Sequence, residues 1–110
     1  MSKVTNVNAN TAQAELPQTE YMSKYGNARL YFLKDHKPKL YAELRKDGEL
    51  KEHCLEVQRI ADNRLKNMME QAVKHNPPPN RNTDGLRWAA HMSMLKRSVE
   101  ETIYSELIYE

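Results

Sequence analysis

The sequence predicts an all-α protein: a four-helix domain built on a long antiparallel helical hairpin and preceded by a polar N-terminal arm. Apolar residues recur at steps of three and four along most of the chain, which is the spacing of one helix face. Prolines stand between these periodic stretches, where helices begin or end. A chain of 110 residues is long enough for one modest core and too short for two.

The first twenty residues differ in composition from the rest. They are rich in Asn, Thr and Gln, include Pro17, and show no sustained periodicity. Such a segment is typical of an extended or disordered arm, although the spacing of Val4 and Val7 also fits a short edge strand or a partner-ordered segment. We therefore divide the chain into a flexible arm, residues 1–20, and a helical domain, residues 21–110.

Two short helices are predicted after the arm. The first should end near His36, because Pro38 disfavours helical geometry in the residue before it. Pro38 suits the first turn of a second helix, which Asp47-Gly48 ends. The apolar face of the first helix is Tyr21, Tyr25, Ala28 and Phe32, and that of the second is Leu40, Tyr41 and Leu44.

Two longer helices should form the hairpin. The third carries an apolar seam that comprises Leu50, Cys54, Val57, Ala61, Leu65, Met68 and Ala72, and Pro77-Pro78-Pro79 terminates it. The fourth is capped by Thr83 or Asp84 and presents Trp88, Met92, Leu95, Val99, Ile103 and Leu107. Because a short stiff loop joins them, we expect antiparallel packing with Trp88 buried, and the first two helices closing over one side.

The residues that could carry chemistry predict no enzyme, no metal site and no cofactor. His36, His53, His75, His91 and Cys54 lack the spacings that bring ligands onto one metal. Cys54 falls on the apolar seam, so we expect a buried, inert thiol. The three glycines stand apart, and the adjacent carboxylates of Glu100-Glu101 diverge on a helix.

The compartment expected for this chain is the cytoplasm. A single cysteine precludes an intramolecular disulfide, and no apolar run approaches the ~18 residues of a membrane span. The N-terminus is polar and lacks the apolar stretch of a signal peptide. We therefore expect no membrane partner.

Charge is distributed unevenly along the chain. Residues 24–51 hold eight basic and four acidic side chains, a net charge of +4, interleaved with tyrosine and phenylalanine. Such a stretch can follow a phosphate backbone and stack on bases, although a solvated face has the same composition. The nucleic-acid-binding candidates are Lys24, Arg29, Lys34, Lys37, Lys39 and Arg45.

The last twelve residues are acidic. They carry four glutamates and no basic residue, and acidic groups near a helix C-terminus oppose the helix dipole. Docking of this end on the basic first helices would offset that cost, in which case the two charged segments satisfy each other. The candidates for docking a protein partner are Glu100, Glu101, Tyr104, Glu106 and Tyr109.

Several segments in chain order carry a family resemblance: Tyr25-Gly26-Asn27-Ala28-Arg29, Tyr31-Phe32-Leu33-Lys34-Asp35-His36, Leu40-Tyr41-Ala42-Glu43-Leu44, Gly48-Glu49-Leu50 and residues 100–110. Over roughly residues 21–110 they resemble the TnpV family of transposon-encoded proteins. The arm and the three-proline loop depart from the family pattern. The resemblance implies a protein of a mobile genetic element, with a suggested likeness to excisionases and no established catalytic residues.

Three functions remain open at this point. The first is a non-enzymatic accessory factor of the mobile element that binds DNA or a nucleoprotein complex through residues 24–51. The second is an anti-CRISPR-like inhibitor of host defence that binds a CRISPR effector through helical surfaces and the acidic end. The third is a structural helical module that self-associates, so a homo-oligomer is also compatible with the sequence.

Overall fold

The computed structural model describes residues 21–110 and shows an all-α domain. The predicted arm, with its alternative edge strand, lies outside the described residues. Four helices and a final π-helical turn follow one another: α1 (Lys24–His36), α2 (Pro38–Lys46), α3 (Leu50–His75), α4 (Gly85–Ile103) and the turn Tyr104–Ile108. No strand occurs between residues 21 and 110, and the predicted all-α class is confirmed.

The helix boundaries follow local chemistry. α1 ends at His36, one residue before the Lys37 junction, and Pro38 occupies the start of α2, where its missing N–H costs no hydrogen bond. Gly48 adopts a φ of 74° after α2, a left-handed conformation that favours glycine. The three consecutive prolines lie in the loop after α3. None of the helices in residues 21–110 has both the length and the apolar character of a membrane-spanning segment.

α3 is the central element, and the other helices pack around it. Residues later in α4 meet residues earlier in α3. His91 Nε2 lies 2.7 Å from the carbonyl oxygen of Asn76, and the Arg64 guanidinium lies 3.7 Å from the Glu106 carboxylate. The domain measures 50 × 38 × 19 Å, so its thin dimension is about two helix diameters.

α1 packs closely on the first half of α3 because Gly26 lies at the contact. A Cβ at this position would stand 2.6 Å from Gln58 Oε1 and 3.4 Å from the carbonyl oxygen of Cys54. Gln58 is buried and joins the two elements, since its Nε2 donates to the Tyr21 carbonyl and its Oε1 accepts from the Ser23 N–H. Glycine therefore determines how near the two helix axes approach.

The main core forms where α1, α3, α4 and the π-helical turn meet. Its buried members are Tyr25, Val57, Ala61, Val99, Ile103 and Ile108. Cys54 and Leu55 are also fully buried on α3. Gln58 and Leu55 lie outside the apolar seam predicted from the spacing, because two helices pack on different sides of α3.

Two expectations about the core need correction. Trp88 is only half-buried and its ring lies beneath the Arg81 guanidinium, 4.7 Å from the ring centroid, rather than in the core. Tyr21 is 76% exposed. Trp88 is not covered because α1 meets α4 near its C-terminal end, at Glu100, and α2 packs on α1 and α3, so the early turns of α4 have α3 as their neighbour. The side chains of Leu40, Tyr41 and Leu44 are half-buried.

Candidate functional site

Arg29, a nucleic-acid candidate, belongs to the interior of the domain. Its side chain is buried, with Nη1 donating to the carbonyl oxygen of Ile108 at 2.9 Å and Nε to His53 Nε2 at 3.2 Å. Burial lowers the pKa of the guanidinium, which nevertheless stays charged at neutral pH. Arg29 therefore fixes the C-terminal turn to α1 and is not available to a phosphate.

Lys24 is also engaged within the protein. Its Nζ lies 2.6 Å from Glu100 Oε2, and the Tyr25 hydroxyl donates to the same carboxylate oxygen at 2.5 Å. Burial would raise the pKa of Glu100, but the hydrogen bonds from Lys24 and Tyr25 outweigh it and hold that pKa below its usual value. Burial and the bond to Glu100 raise the pKa of the Tyr25 hydroxyl. The Lys24–Glu100 ion pair therefore joins the basic segment to the acidic one, as their opposite charges predicted.

The other four nucleic-acid candidates, Lys34, Lys37, Lys39 and Arg45, are exposed and form no ion pair within the described residues. They lie on the second half of α1, on α2 and at the junction between them. Lys46 and Lys51 are exposed nearby. When Lys24 and Arg29 are left out, residues 24–51 retain six basic and four acidic side chains, a net charge of +2.

The acidic candidates near the C-terminus also divide into two groups. Glu100 is held by Lys24 and Tyr25, and Glu106 lies near Arg64. Tyr104 is half-buried, with its ring centroid 5.9 Å from that of Tyr25. Glu101 and Tyr109 remain exposed. Part of the predicted docking set thus stabilises the domain, and part faces outward.

The π-helical turn brings two tyrosines side by side. The Tyr109 N–H donates to the carbonyl oxygen of Tyr104 at 2.8 Å, a bond that spans five residues and widens the helix. The ring centroids of Tyr104 and Tyr109 are 5.5 Å apart, and Tyr109 lies 5.4 Å from Phe32 on α1. Phe32 in turn lies 5.0 Å from His36. A continuous series of rings therefore crosses from the C-terminal end of the domain, at Tyr104 and Tyr109, to α1.

This series borders an open groove of about 460 Å³ lined by Ala28, Tyr31, Phe32, Asp35, His36 and Tyr109. Tyr109 also lines a second groove of about 390 Å³, together with Arg97, Glu100, Glu101, Tyr104 and Ser105. Sequence reasoning did not select Tyr31, Asp35 or His36 as site residues. The groove forms where residues 28–36 of α1 contact Tyr109 near the C-terminus. The only feature of the sequence that pointed to it was the spacing of aromatic residues within each of these two segments.

His53 and Cys54 lie beside Arg29 in the interior. Cys54 has no solvent exposure, and burial raises the pKa of its thiol, so the prediction of a buried cysteine is confirmed. Burial lowers the pKa of His53, and the charge of Arg29 lowers it further. Across residues 21–110, no three His, Cys, Asp or Glu side chains converge on a point that could hold a metal ion.

The family model described as transposon-encoded protein TnpV matches residues 9–108. The chain belongs to the TnpV family. The match begins within the polar segment that sequence analysis treated as a departure from the family, and it spans the three-proline loop. Comparison with curated proteins and with solved structures gives no match.

The structure gives physical roles to the motif that first suggested TnpV. In Tyr25-Gly26-Asn27-Ala28-Arg29, the tyrosine binds Glu100, the glycine permits the close approach of α3, and the arginine binds the Ile108 carbonyl. Asn27 Nδ2 lies 3.5 Å from the carbonyl oxygen of Met22, before the helix. This TnpV motif therefore holds the domain together. Association with a transposon is what the family establishes for the chain.

Proposed function

We propose that this TnpV protein is a non-enzymatic accessory factor of its transposon that acts in the cytoplasm by binding DNA or a nucleoprotein complex. The observation that supports the proposal is the set Lys34, Lys37, Lys39 and Arg45. These side chains are exposed and form no ion pair among residues 21–110, whereas Lys24 and Arg29 are engaged inside the domain. The set is therefore free to exchange its counterions for phosphates.

These residues are spread over a broad surface rather than along one helix face. Lys39 and Arg45 lie on α2, about 9 Å apart along the helix axis and about 120° apart around it. Lys34 and Lys37 extend the basic surface across the junction to α1. Tyr31, one helical turn before Lys34, is 60% exposed and offers a face for stacking on an unpaired base.

The competing proposal of a CRISPR-effector inhibitor relies on acidic surface that imitates phosphate. Two of the four C-terminal glutamates, Glu100 and Glu106, have basic partners within the domain. Only Glu101 and Glu110 then contribute fully to an outward negative field. Two carboxylates are few for a surface that must resemble a nucleic-acid backbone, so the DNA-binding proposal has the better support.

Measurement of affinity for a duplex as a function of salt concentration tests the proposal. Each neutralised phosphate contributes about −0.9 to the slope of log affinity against log salt, so four contacts give a slope of about −3.6. A fourfold increase from ~50 mM salt should then weaken binding about 150-fold. Changing Lys34, Lys37, Lys39 and Arg45 together to glutamine should flatten this slope without altering the melting temperature.

The chain offers a control with the same change in charge. Lys66, Lys74, Lys96 and Arg97 are also three lysines and one arginine, and they are exposed on α3 and α4. Their replacement by glutamine should leave most of the slope unchanged. If both quadruple variants flatten the slope equally, the salt dependence reflects the overall charge of the protein and not a specific surface. Failure to bind any duplex or single strand at ~50 mM salt would contradict the proposal outright.

A further inference from the structure

The groove between α1 and the C-terminal turn combines aromatic walls with a carboxylate. Phe32 is half-buried in it, Tyr31 and Tyr109 are 60% and 54% exposed beside it, and Asp35 lies at its edge. We propose that this groove binds arginine or lysine side chains presented by a segment of a protein partner. The proposal goes beyond the DNA-binding residues Lys34, Lys37, Lys39 and Arg45 to another class of ligand, and Tyr31 borders both surfaces.

The rings favour a cation over a neutral apolar group. Aromatic faces carry negative electrostatic potential, and a guanidinium or ammonium within about 6 Å of a ring centroid is attracted to it. The protein already uses this interaction below the groove, where Arg29 lies 5.8 Å from the centroid of Phe32. The exposed tyrosines supply further rings of the same kind on the solvent side. Guanidinium groups also stack flat on such rings, which favours arginine.

Asp35 is the carboxylate in the lining of the larger groove, and its charge is complementary to a cation, while Lys34 and Lys37 flank it in the sequence without lining the groove. Asp35 is exposed and has no ion-pair partner within the described residues. In the adjoining groove, Glu101 is exposed, while the charge of Glu100 is balanced by Lys24 and that of Arg97 opposes binding. One carboxylate in each groove is thus free to receive a basic side chain.

The dimensions indicate a peptide rather than a free amino acid. Tyr109 lines both grooves, whose volumes are about 460 and 390 Å³. This is more than a single side chain fills, and it matches a short segment with basic residues near Asp35 and near Glu101. A flexible loop or terminus of a basic protein fits this description.

The test uses the full chain labelled with ¹⁵N and two probes, acetyl-tetra-arginine-amide and acetyl-tetra-glutamate-amide, at ~50 mM salt. Tetra-arginine should shift the amide resonances of Tyr31, Asp35 and Tyr109, and tetra-glutamate should not. Asp35→Asn should weaken binding of tetra-arginine about 1.4- to fivefold, the range of an exposed ion pair. Tyr31→Ser and Tyr109→Ala should each weaken it by a similar factor.

Glu70→Gln provides the matched control, since it removes one exposed carboxylate on α3, outside both grooves. It should leave the affinity for tetra-arginine unchanged. Equal weakening by Glu70→Gln and Asp35→Asn would show diffuse attraction and overturn the proposal. Absence of shifts at the groove would overturn it as well. If oligothymidylate shifts the amide resonances of Tyr31 and Tyr109 and tetra-arginine does not, the groove binds nucleic acid and the proposal is overturned.

Discussion

Arg29 donates a 2.9 Å hydrogen bond to the carbonyl oxygen of Ile108, which lies 79 residues further along the chain. Ile108 is fully buried, and its carbonyl belongs to the final turn, where intrahelical donors are lacking. A buried guanidinium meets that need because it presents several donors in a fixed plane. The contact therefore closes the domain by joining its first helix to its last turn.

Replacement of Arg29 by methionine should lower the free energy of unfolding by about 1–3 kcal/mol, because the Ile108 carbonyl loses its donor in a buried setting. The measurement is urea unfolding followed by circular dichroism. Lys34→Met removes the same charge from an exposed position of α1 and should change stability by less than about 0.5 kcal/mol. Equal effects of the two substitutions would contradict the structural role of Arg29.

The Glu100 carboxylate should make stability depend on pH. Its folded-state pKa lies below the unfolded value of about 4.3, so its contribution is present above that value and is lost as the pH falls through the folded pKa. Glu100→Gln should lower the free energy of unfolding by about 1–3 kcal/mol near pH 7. The difference from the unmodified chain should be smaller when it is measured again at a pH below that unfolded value.

Glu101→Gln is the control for Glu100, since Glu101 is the exposed neighbour on the same helix. It should change stability by less than about 0.5 kcal/mol at either pH. Urea unfolding of the three proteins at both pH values gives the comparison. A loss in Glu100→Gln that stays constant with pH would show that the carboxylate charge is not what Lys24 and Tyr25 stabilise.

Gly26→Ala should destabilise the domain although alanine favours helices. The new Cβ would displace the Gln58 amide from its bonds to Ser23 and Tyr21, and it would lie only 3.4 Å from the Cys54 carbonyl. Overpacking of this kind costs about 1–3 kcal/mol, more than the gain of up to about 1 kcal/mol in helix propensity. Thermal melting followed at 222 nm measures the balance.

Gly85→Ala serves as the control for Gly26, because a Cβ at Gly85 meets no atom within 4 Å. It should leave the melting temperature unchanged or raise it slightly. An increase in stability for Gly26→Ala as well would mean that α1 and α3 separate at little cost, and that the close approach at Gly26 does not control their packing.

Ile103→Ala should lower the free energy of unfolding more than Trp88→Ala does, although tryptophan is the larger side chain. Ile103 has no solvent exposure, and its truncation should cost about 2–5 kcal/mol. Trp88 is half-buried and contacts Arg81, so its truncation should cost about 1.5–2.5 kcal/mol, half the value for a fully buried tryptophan. Chemical unfolding of both variants decides the order. A larger loss of stability in Trp88→Ala than in Ile103→Ala would indicate that Trp88 belongs to the core.

The positions of the helices and of their ends follow from local features of the sequence. The 3.6-residue period of α3 and α4, the break at Pro38, the positive φ of Gly48 and the prolines at 77–79 are local properties, expressed within a few residues of where they occur. The burial of Cys54 followed from the same periodicity. The ordered motifs also indicated the TnpV family, which the match over residues 9–108 establishes.

Which charged and aromatic residues face outward depends on how the helices pack. Lys24 and Lys34 are equivalent in the sequence pattern, yet Lys24 binds Glu100 and Lys34 remains exposed without an ion pair among the described residues. The groove beside Phe32 and Tyr109, like the half-exposure of Trp88, depends on which helices pack together. Periodicity identifies the apolar face of a helix, but side chains meet across 75 or more residues only when packing brings those segments together.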